Sequence, residues 1–132
     1  MLGDDRTYAT LPVSDIPLAR EFYEGILGLR PDMVTEGGVM YGSGSTQFFV
    51  YPSRYRASGH SQMSWLVPDI KAEVAQLKAR GVRFEEYDIP GVVMADGIAH
   101  SGPEVWNAFF KDPDGNLLGL TQIGQAPPDQ LK

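Results

Sequence analysis

A short motif that occurs twice constrains the fold of this chain more than any other feature. Residues 13–16 (VSDI) and 67–70 (VPDI) share the pattern V-x-D-I, and the two copies lie 54 residues apart. In each copy, alternating apolar and polar residues lead into the motif, and a run with helical spacing follows it. Ser14 or Asp15 in the first copy, and Asp69 in the second, can cap the helix that begins there. The duplication therefore predicts two copies of one strand–helix unit.

The segment around the first motif predicts one strand, one helix and a three-stranded meander. Residues 8–13 alternate as a strand does, and apolar residues recur at helical spacing through 14–28. Gly28 is a suitable helix terminator, because glycine readily adopts the left-handed conformation. Turns that contain glycine separate three short segments, which predicts antiparallel strands at 30–35, 38–42 and 46–51.

The segment around the second motif repeats this order less clearly. A strand is predicted at 61–67 and a capped helix at 68–81. A looser stretch without a regular pattern runs through 88–103. Further strands are predicted at 82–88, 104–111 and 116–122. The predicted order is therefore β-α-β-β-β, twice.

A tight turn joins the last two predicted strands, and a glycine interrupts the second of them. In the turn 112–115 (DPDG), proline fixes φ at about −65° and glycine occupies the fourth position, as β-turns prefer. Gly119 lies within the apolar run 117–120. A strand glycine marks either a bend or bulge, or a place where a ligand approaches the backbone. Both readings of Gly119 stay open at this point.

The composition excludes several kinds of site and partner. The 132 residues include no cysteine, so disulfides, thiolate metal sites and cysteine nucleophiles are excluded. The net charge of −6 and the scattered basic residues argue against binding to nucleic acid. No apolar run reaches the ~20 residues that span a bilayer, and the acidic start differs from a signal peptide. We therefore expect a cytoplasmic protein with no membrane partner.

The ordered set of motifs resembles the vicinal oxygen chelate superfamily, which includes glyoxalase I, extradiol dioxygenases and bleomycin resistance proteins. The resemblance covers nearly all of residues 7–122. The residues that carry it are Val13, Asp15, Phe22, Tyr23, Leu27, Gly28, Leu29, Val67, Asp69, Phe110, Asp112, Pro113, Gly115, Asn116 and Leu120.

The resemblance implies an α+β fold of two βαβββ modules. Their curved mixed sheets form a cupped cavity, with helices on the outer faces. We expect a single domain of this type over residues 1–125, followed by a tail at 126–132. Module one is expected at about 6–53 and module two at about 60–123.

The resemblance also implies where a metal ion would be held. Carried over position by position, the four ligand places fall on Tyr8, near Phe49, on Gln62 and on Gly119. Histidine or glutamine is usual at the first place and glutamate at the last. Divalent cations need several carboxylate or imidazole donors, which these four residues do not supply. We therefore expect no metal and no other cofactor.

Aromatic and polar side chains that are predicted to face the cavity form the candidate binding site. By strand parity, Phe48 and Trp65 are assigned instead to the core under the helices. The predicted ligand-binding residues are Tyr8, Thr10, Phe49, Tyr51, Gln62, Ser64, His100, Trp106, Asn107 and Gly119. A pocket of this make-up suits a small aromatic or cationic molecule.

The prediction for function is a metal-free small-molecule binding protein of the glyoxalase or bleomycin-resistance type, and the resemblance implies a homodimer. The alternative is a glyoxalase- or dioxygenase-like enzyme with an atypical site. That site could hold a displaced metal through His60, His100 and Glu104, or use His100, Glu104 and Tyr8 in acid–base catalysis. No catalytic residue is assigned, and whether the chain is an enzyme stays open.

Overall fold

The computed structural model describes residues 1–4, 6–54, 58–88, 90–102 and 104–124. The chain divides into two units, each of which is described by itself. The first comprises Met1–Gly59 with Pro113–Asn116, and the second comprises His60–Asp112 and the chain from Leu117 onward. The predicted tail at 126–132 lies outside the described residues. In the described part of the chain, no helix has the length and apolar character needed to cross a membrane.

The first unit contains one mixed four-stranded sheet, which follows a short 3-10 turn at the amino terminus. Its strands are β1 (Ala9–Val13), β2 (Arg30–Thr35), β3 (Gly38–Ser43) and β4 (Thr46–Pro52). They lie in the order β1-β4-β3-β2, with β1 parallel to β4 and the other pairs antiparallel. The meander predicted for this segment is confirmed.

The helix of the first unit changes its winding part-way along. Helix α1 (Ile16–Arg20) begins where the Asp15 carboxylate accepts the backbone N–H of Leu18 at 3.0 Å, and a π-helical segment, Glu21–Ile26, continues it. One regular helix over 14–28 was expected. The wider π turns accompany the burial of two adjacent rings, Phe22 and Tyr23, which a regular helix would point in directions about 100° apart.

The second unit repeats this topology with one more strand. Its strands are β5 (Ser61–Leu66), β6 (Val93–Ala95), β7 (Ile98–Gly102), β8 (Val105–Lys111) and β9 (Leu117–Ile123). They lie in the order β5-β9-β8-β7-β6, and β5 is parallel to β9. Helix α2 (Ile70–Ala79) begins at Asp69, whose carboxylate accepts the N–H of Ala72 at 3.1 Å. In both copies of the repeat, the aspartate is therefore the helix cap.

The stretch between α2 and β8 differs from the prediction. The looser stretch 88–103 contains the hairpin β6–β7, while the strand predicted at 82–88 is reduced to one bridge between Phe84 and Phe110. The hairpin turn is Asp96-Gly97, and both residues have positive φ, as a two-residue hairpin turn requires. The Asp-Gly pair was the sequence signal for this hairpin.

Each helix covers one face of the sheet in its own unit. Leu11, Phe48 and Val50 are buried on that face in the first unit. Phe110 and Leu118 are fully buried in the second, where α2 packs on β7, β8 and β9. We call this side of each sheet the covered face and the other side the uncovered face. The predicted α+β class and the two-module arrangement are confirmed.

Candidate functional site

The uncovered face of the second unit carries a chain of three polar side chains. Ser64 lies on β5, Thr121 on the neighbouring β9 and Asn107 on β8. The Ser64 and Thr121 hydroxyl oxygens are 2.8 Å apart, and the Thr121 hydroxyl donates to Asn107 Oδ1 at 2.8 Å. Three adjacent strands thus each contribute one member of a continuous hydrogen-bonded row.

The direction of each bond in this row follows from counting protons. Thr121 has a single hydroxyl proton, which it gives to Asn107, so Ser64 must donate the proton between the two hydroxyls. The Asn107 amide keeps both N–H donors without a partner among the described residues. The row therefore presents a donor at the Asn107 end and an acceptor oxygen at the Ser64 end.

Gly119 lies beside this row, and its missing side chain has a clear physical role. Its register partners are Ser64 on β5 and Phe109 on β8. A Cβ at Gly119 would lie 2.8 Å from Ser64 Oγ and 3.1 Å from Phe109 Cε1. The space above Gly119 is thus filled by the serine hydroxyl and the edge of the Phe109 ring. Because Gly119 has no side chain, Ser64 and Phe109 can lie close to the backbone of β9.

Two aromatic rings lie next to the polar row. The rings of Phe109 and Tyr87 meet nearly edge to face, with centroids 6.2 Å apart. Burial, followed by the charge of Glu85, raises the pKa of the Tyr87 phenol, so this hydroxyl stays protonated at neutral pH. Tyr87 and Thr121 were absent from the predicted site. Thr121 could have been predicted, because it is two residues from Gly119 and side chains two apart on a strand share a face. Tyr87 lies outside any regular strand, so no such rule applies to it.

Two other predicted site residues lie on the opposite face of the same sheet. Trp106 is only 3% exposed and sits on the covered face, where His100 stacks on it with centroids 4.7 Å apart. Adjacent residues of a strand point to opposite faces, so Trp106 and Asn107 cannot line one surface.

Gln62, another predicted site residue, lies on β5 at the point where the β5–β9 register shifts.

The uncovered face of the first unit brings together a different set of predicted residues. Thr10 is the register partner of Phe49, and the rings of Phe49 and Tyr51 lie nearly parallel with centroids 6.4 Å apart. Tyr8 precedes β1 and is 54% exposed. Gly38 faces the Phe49 ring, because a Cβ at this position would lie 2.7 Å from Phe49 Cζ.

The residues at the four metal-ligand places do not form a donor set for a divalent ion. In the first unit the places hold a phenol, Tyr8, and a hydrocarbon ring, Phe49. In the second they hold a neutral amide, Gln62, and Gly119, whose space Ser64 fills. Within the described ranges, no group of three or more histidine, aspartate or glutamate side chains could hold a metal ion. The alternative set, His60, His100 and Glu104, is no such group.

A comparison with known families identifies the fold. The sequence profile of the glyoxalase/bleomycin resistance protein/dioxygenase superfamily matches residues 7–120. The chain belongs to this superfamily. The resemblance recognised from the ordered set of motifs is thereby confirmed.

Several solved structures have the same fold as this chain. A glyoxalase family protein from Enterococcus faecalis is 19% identical, with a TM-score of 0.70 over 92% of this chain and 99% of that one. A glyoxalase/bleomycin resistance protein/dioxygenase from Alicyclobacillus acidocaldarius is also 19% identical, with a TM-score of 0.69 over 92% and 93%. A virulence protein from Salmonella typhimurium is 22% identical, with a TM-score of 0.64 over 91% and 98%. At these identities the likeness shows the fold alone. No curated protein matches the chain.

Proposed function

We propose that this superfamily member is a metal-free binding protein for small aromatic molecules, and that positively charged ones bind best. The observation that carries the proposal is the Asn107 amide beside the ring pair of Phe109 and Tyr87, because its N–H groups have no partner among the described residues. An amide donor next to aromatic carbon is the usual make-up of a site for a small organic molecule. The site we propose consists of Ser64, Asn107, Phe109, Thr121 and Tyr87.

The polar row restricts the chemistry of the ligand. A ligand acceptor, such as a carbonyl oxygen or a ring nitrogen, pairs with the Asn107 N–H groups. The aromatic plane of the ligand packs on the ring of Phe109, whose centroid is 6.2 Å from that of the Tyr87 ring. A positive charge on the ligand is favoured by ring faces and by the net charge of −6. The rings of Phe49 and Tyr51 in the first unit are a second surface of the same character.

The metal-free part of the proposal rests on donor chemistry. A phenol, a phenyl ring, one amide and a glycine give at most one weak ligand at the four places, and a single neutral amide cannot hold a divalent ion. The proposal also includes a homodimer, since the resemblance to the superfamily implies one. Size-exclusion chromatography with light scattering measures that part separately.

A thermal-shift titration with three probes tests the binding function. Nicotinamide supplies an aromatic ring with an amide acceptor, 1-methylnicotinamide adds a positive charge, and benzylamine has a ring and a charge without the acceptor. A ligand that binds the native state raises the melting temperature by mass action. We expect the largest rise with 1-methylnicotinamide, a smaller rise with nicotinamide and the smallest with benzylamine.

Two variants separate the proposed site from general effects. Asn107→Ala removes the amide donor and should abolish the preference for nicotinamide over benzylamine. Gln76→Ala is the control, because Gln76 is an exposed residue of α2, on the other side of the sheet. Equal shifts for all three probes, or equal losses in the two variants, would contradict the proposed site.

A further inference from the structure

A second polar site lies on the first unit, where β2 begins and β3 turns into β4. A cleft of about 450 Å³ opens between the start of β2, the β3–β4 turn and the amino-terminal segment. Two arginines, Arg6 and Arg30, line it together with Asp32 and Gln47. Neither arginine was predicted to have a role, and the function proposed above uses none of these residues.

Three features of the sheet hold the carboxylate of Asp32 in the cleft. The β2–β3 register shifts between Pro31 and Met33, so Asp32 sits in a bulge that redirects its side chain. Its carboxylate accepts the Gln47 amide N–H at 2.8 Å. It also lies flat over Gly42, where a Cβ would be 2.6 Å from Asp32 Oδ2. Any larger residue at position 42 would displace the carboxylate.

The two guanidinium groups are left with unused hydrogen-bonding capacity. Arg6 donates to the Ser45 carbonyl at 3.1 Å, which uses one of its five N–H groups. Neither Arg6 nor Arg30 forms an ion pair with any described residue, although Asp32 lines the same cleft. Two guanidiniums and one carboxylate leave a net positive charge in this cleft, in a chain whose total charge is −6.

From this arrangement we infer that the cleft binds a small zwitterion. Its oxyanion, a phosphate or a carboxylate, pairs with Arg6 and Arg30, since guanidinium groups bind both anions through paired hydrogen bonds. Its ammonium group pairs with the Asp32 carboxylate, which Gln47 and Gly42 hold in place. The inference is independent of the function proposed for the second unit, because no residue is shared.

An NMR titration with three chemically matched probes tests the inference. Phosphoethanolamine carries a phosphate and an ammonium group, ethyl phosphate lacks the ammonium, and β-alanine replaces the phosphate by a carboxylate. We expect phosphoethanolamine to shift the backbone amides of residues 42–47, and ethyl phosphate to bind about fivefold more weakly. The relative affinity of β-alanine identifies whether the preferred oxyanion is a carboxylate.

Three single variants and one control assign the contacts. Arg6→Gln and Arg30→Gln should each weaken phosphoethanolamine binding about five- to tenfold. Asp32→Asn should remove the preference for phosphoethanolamine over ethyl phosphate. Arg83→Gln is the control, because it removes the same charge from an exposed position in the second unit. An unchanged amide spectrum away from the mutated residue shows that each variant is folded.

Two outcomes would overturn the inference. One is an equal loss of affinity in Arg83→Gln and Arg30→Gln, which would mean that the probes respond only to overall charge. The other is the absence of a saturating shift at residues 42–47 below about 10 mM for all three probes.

Discussion

The two units use the same framework for different surfaces. In each, a strand ends at an aspartate cap, a helix covers one sheet face, and the last strand returns parallel to the first. The uncovered face of the first unit carries charged side chains and parallel rings, whereas that of the second carries a neutral row ending in Asn107. The repeat therefore fixes the framework, while the residues on the uncovered faces set the chemistry of each surface.

Glycines on the two uncovered faces also differ, in a way that predicts the largest effect on stability. A Cβ at Gly38 would lie 2.3 Å from the backbone oxygen of Val50, and its φ is +144°. The three atoms nearest to a Cβ at Gly119 would instead belong to the side chains of Ser64 and Phe109. Gly38→Ala should cost about 3 kcal/mol and Gly119→Ala about 1 kcal/mol, because side chains move more easily than backbone.

Chemical denaturation of both variants measures this difference. Equal losses in the free energy of unfolding would mean that Ser64 and Phe109 are as rigidly fixed as the β4 backbone. A Gly119→Ala variant that matches the parent would mean that the ring of Phe109 turns aside freely.

The helix starts give the next largest contrast. Gln122 is buried and its side-chain oxygen accepts the Ile70 N–H at 2.8 Å, whereas in the first unit Asp114 accepts the N–H of the exposed Ser14 at 2.8 Å. Gln122→Leu leaves a buried donor without a partner and should cost about 2 kcal/mol. Asp114→Ala leaves a donor that water can reach, and should cost about 1 kcal/mol or less. Urea unfolding of the two variants measures which one loses more stability. A larger loss for Asp114→Ala would contradict the prediction and would mean that water enters beside Ile70.

The smallest expected effect is a difference between the two units in how the free energy of unfolding depends on pH. In the first unit, the hydrogen bond from Arg20 holds the pKa of Glu24 below its ordinary 4.5, and the Tyr41 hydroxyl adds to this effect. Because the folded-state pKa is the lower one, the stabilisation is present above pH 4.5 and is lost as the pH falls through the folded-state pKa. The stability gap between the parent and Glu24→Gln should therefore close on acidification.

The matched control for this effect lies in the second unit. Glu85 pairs with Lys111 at 3.6 Å, and the Lys111 side chain is 52% exposed. Glu85→Gln should change the free energy of unfolding less than Glu24→Gln at neutral pH, since exposed pairs contribute little. Guanidinium is unsuitable for this comparison because it screens charges, so urea melts at several pH values are required. A gap for Glu24→Gln that does not change with pH would contradict the assignment.

The sequence predicts the framework because local rules and the repeat agree. The aspartate caps, the meander and the burial of Phe48 all follow from spacing and parity. Strand parity also places the side chains of Trp106 and Asn107 on opposite faces of the sheet, although both were predicted to bind ligand. The short hairpin at Asp96-Gly97 was missed because its strands are too short to show a period.

The polar sites could be predicted only in part, because they depend on register. Ser64 and Asn107 were predicted, but the hydrogen bonds that join them through Thr121 become visible only when β9 is aligned between β5 and β8. Asp32 reaches Gly42 through a bulge, and no sequence pattern marks that bulge. Such contacts depend on which residues face each other across strands, and a one-residue slip would change every one of them.

The account rests on the claim that the protein binds its ligands without a metal ion. Elemental analysis of protein purified without chelator, followed by calorimetric titration with Ni²⁺, Zn²⁺ and Mn²⁺, tests that claim most directly. We expect substoichiometric metal after dialysis and no saturable binding of any of the three ions. One tightly held ion per chain, lost on Gln62→Ala and retained on Gln76→Ala, would contradict the account.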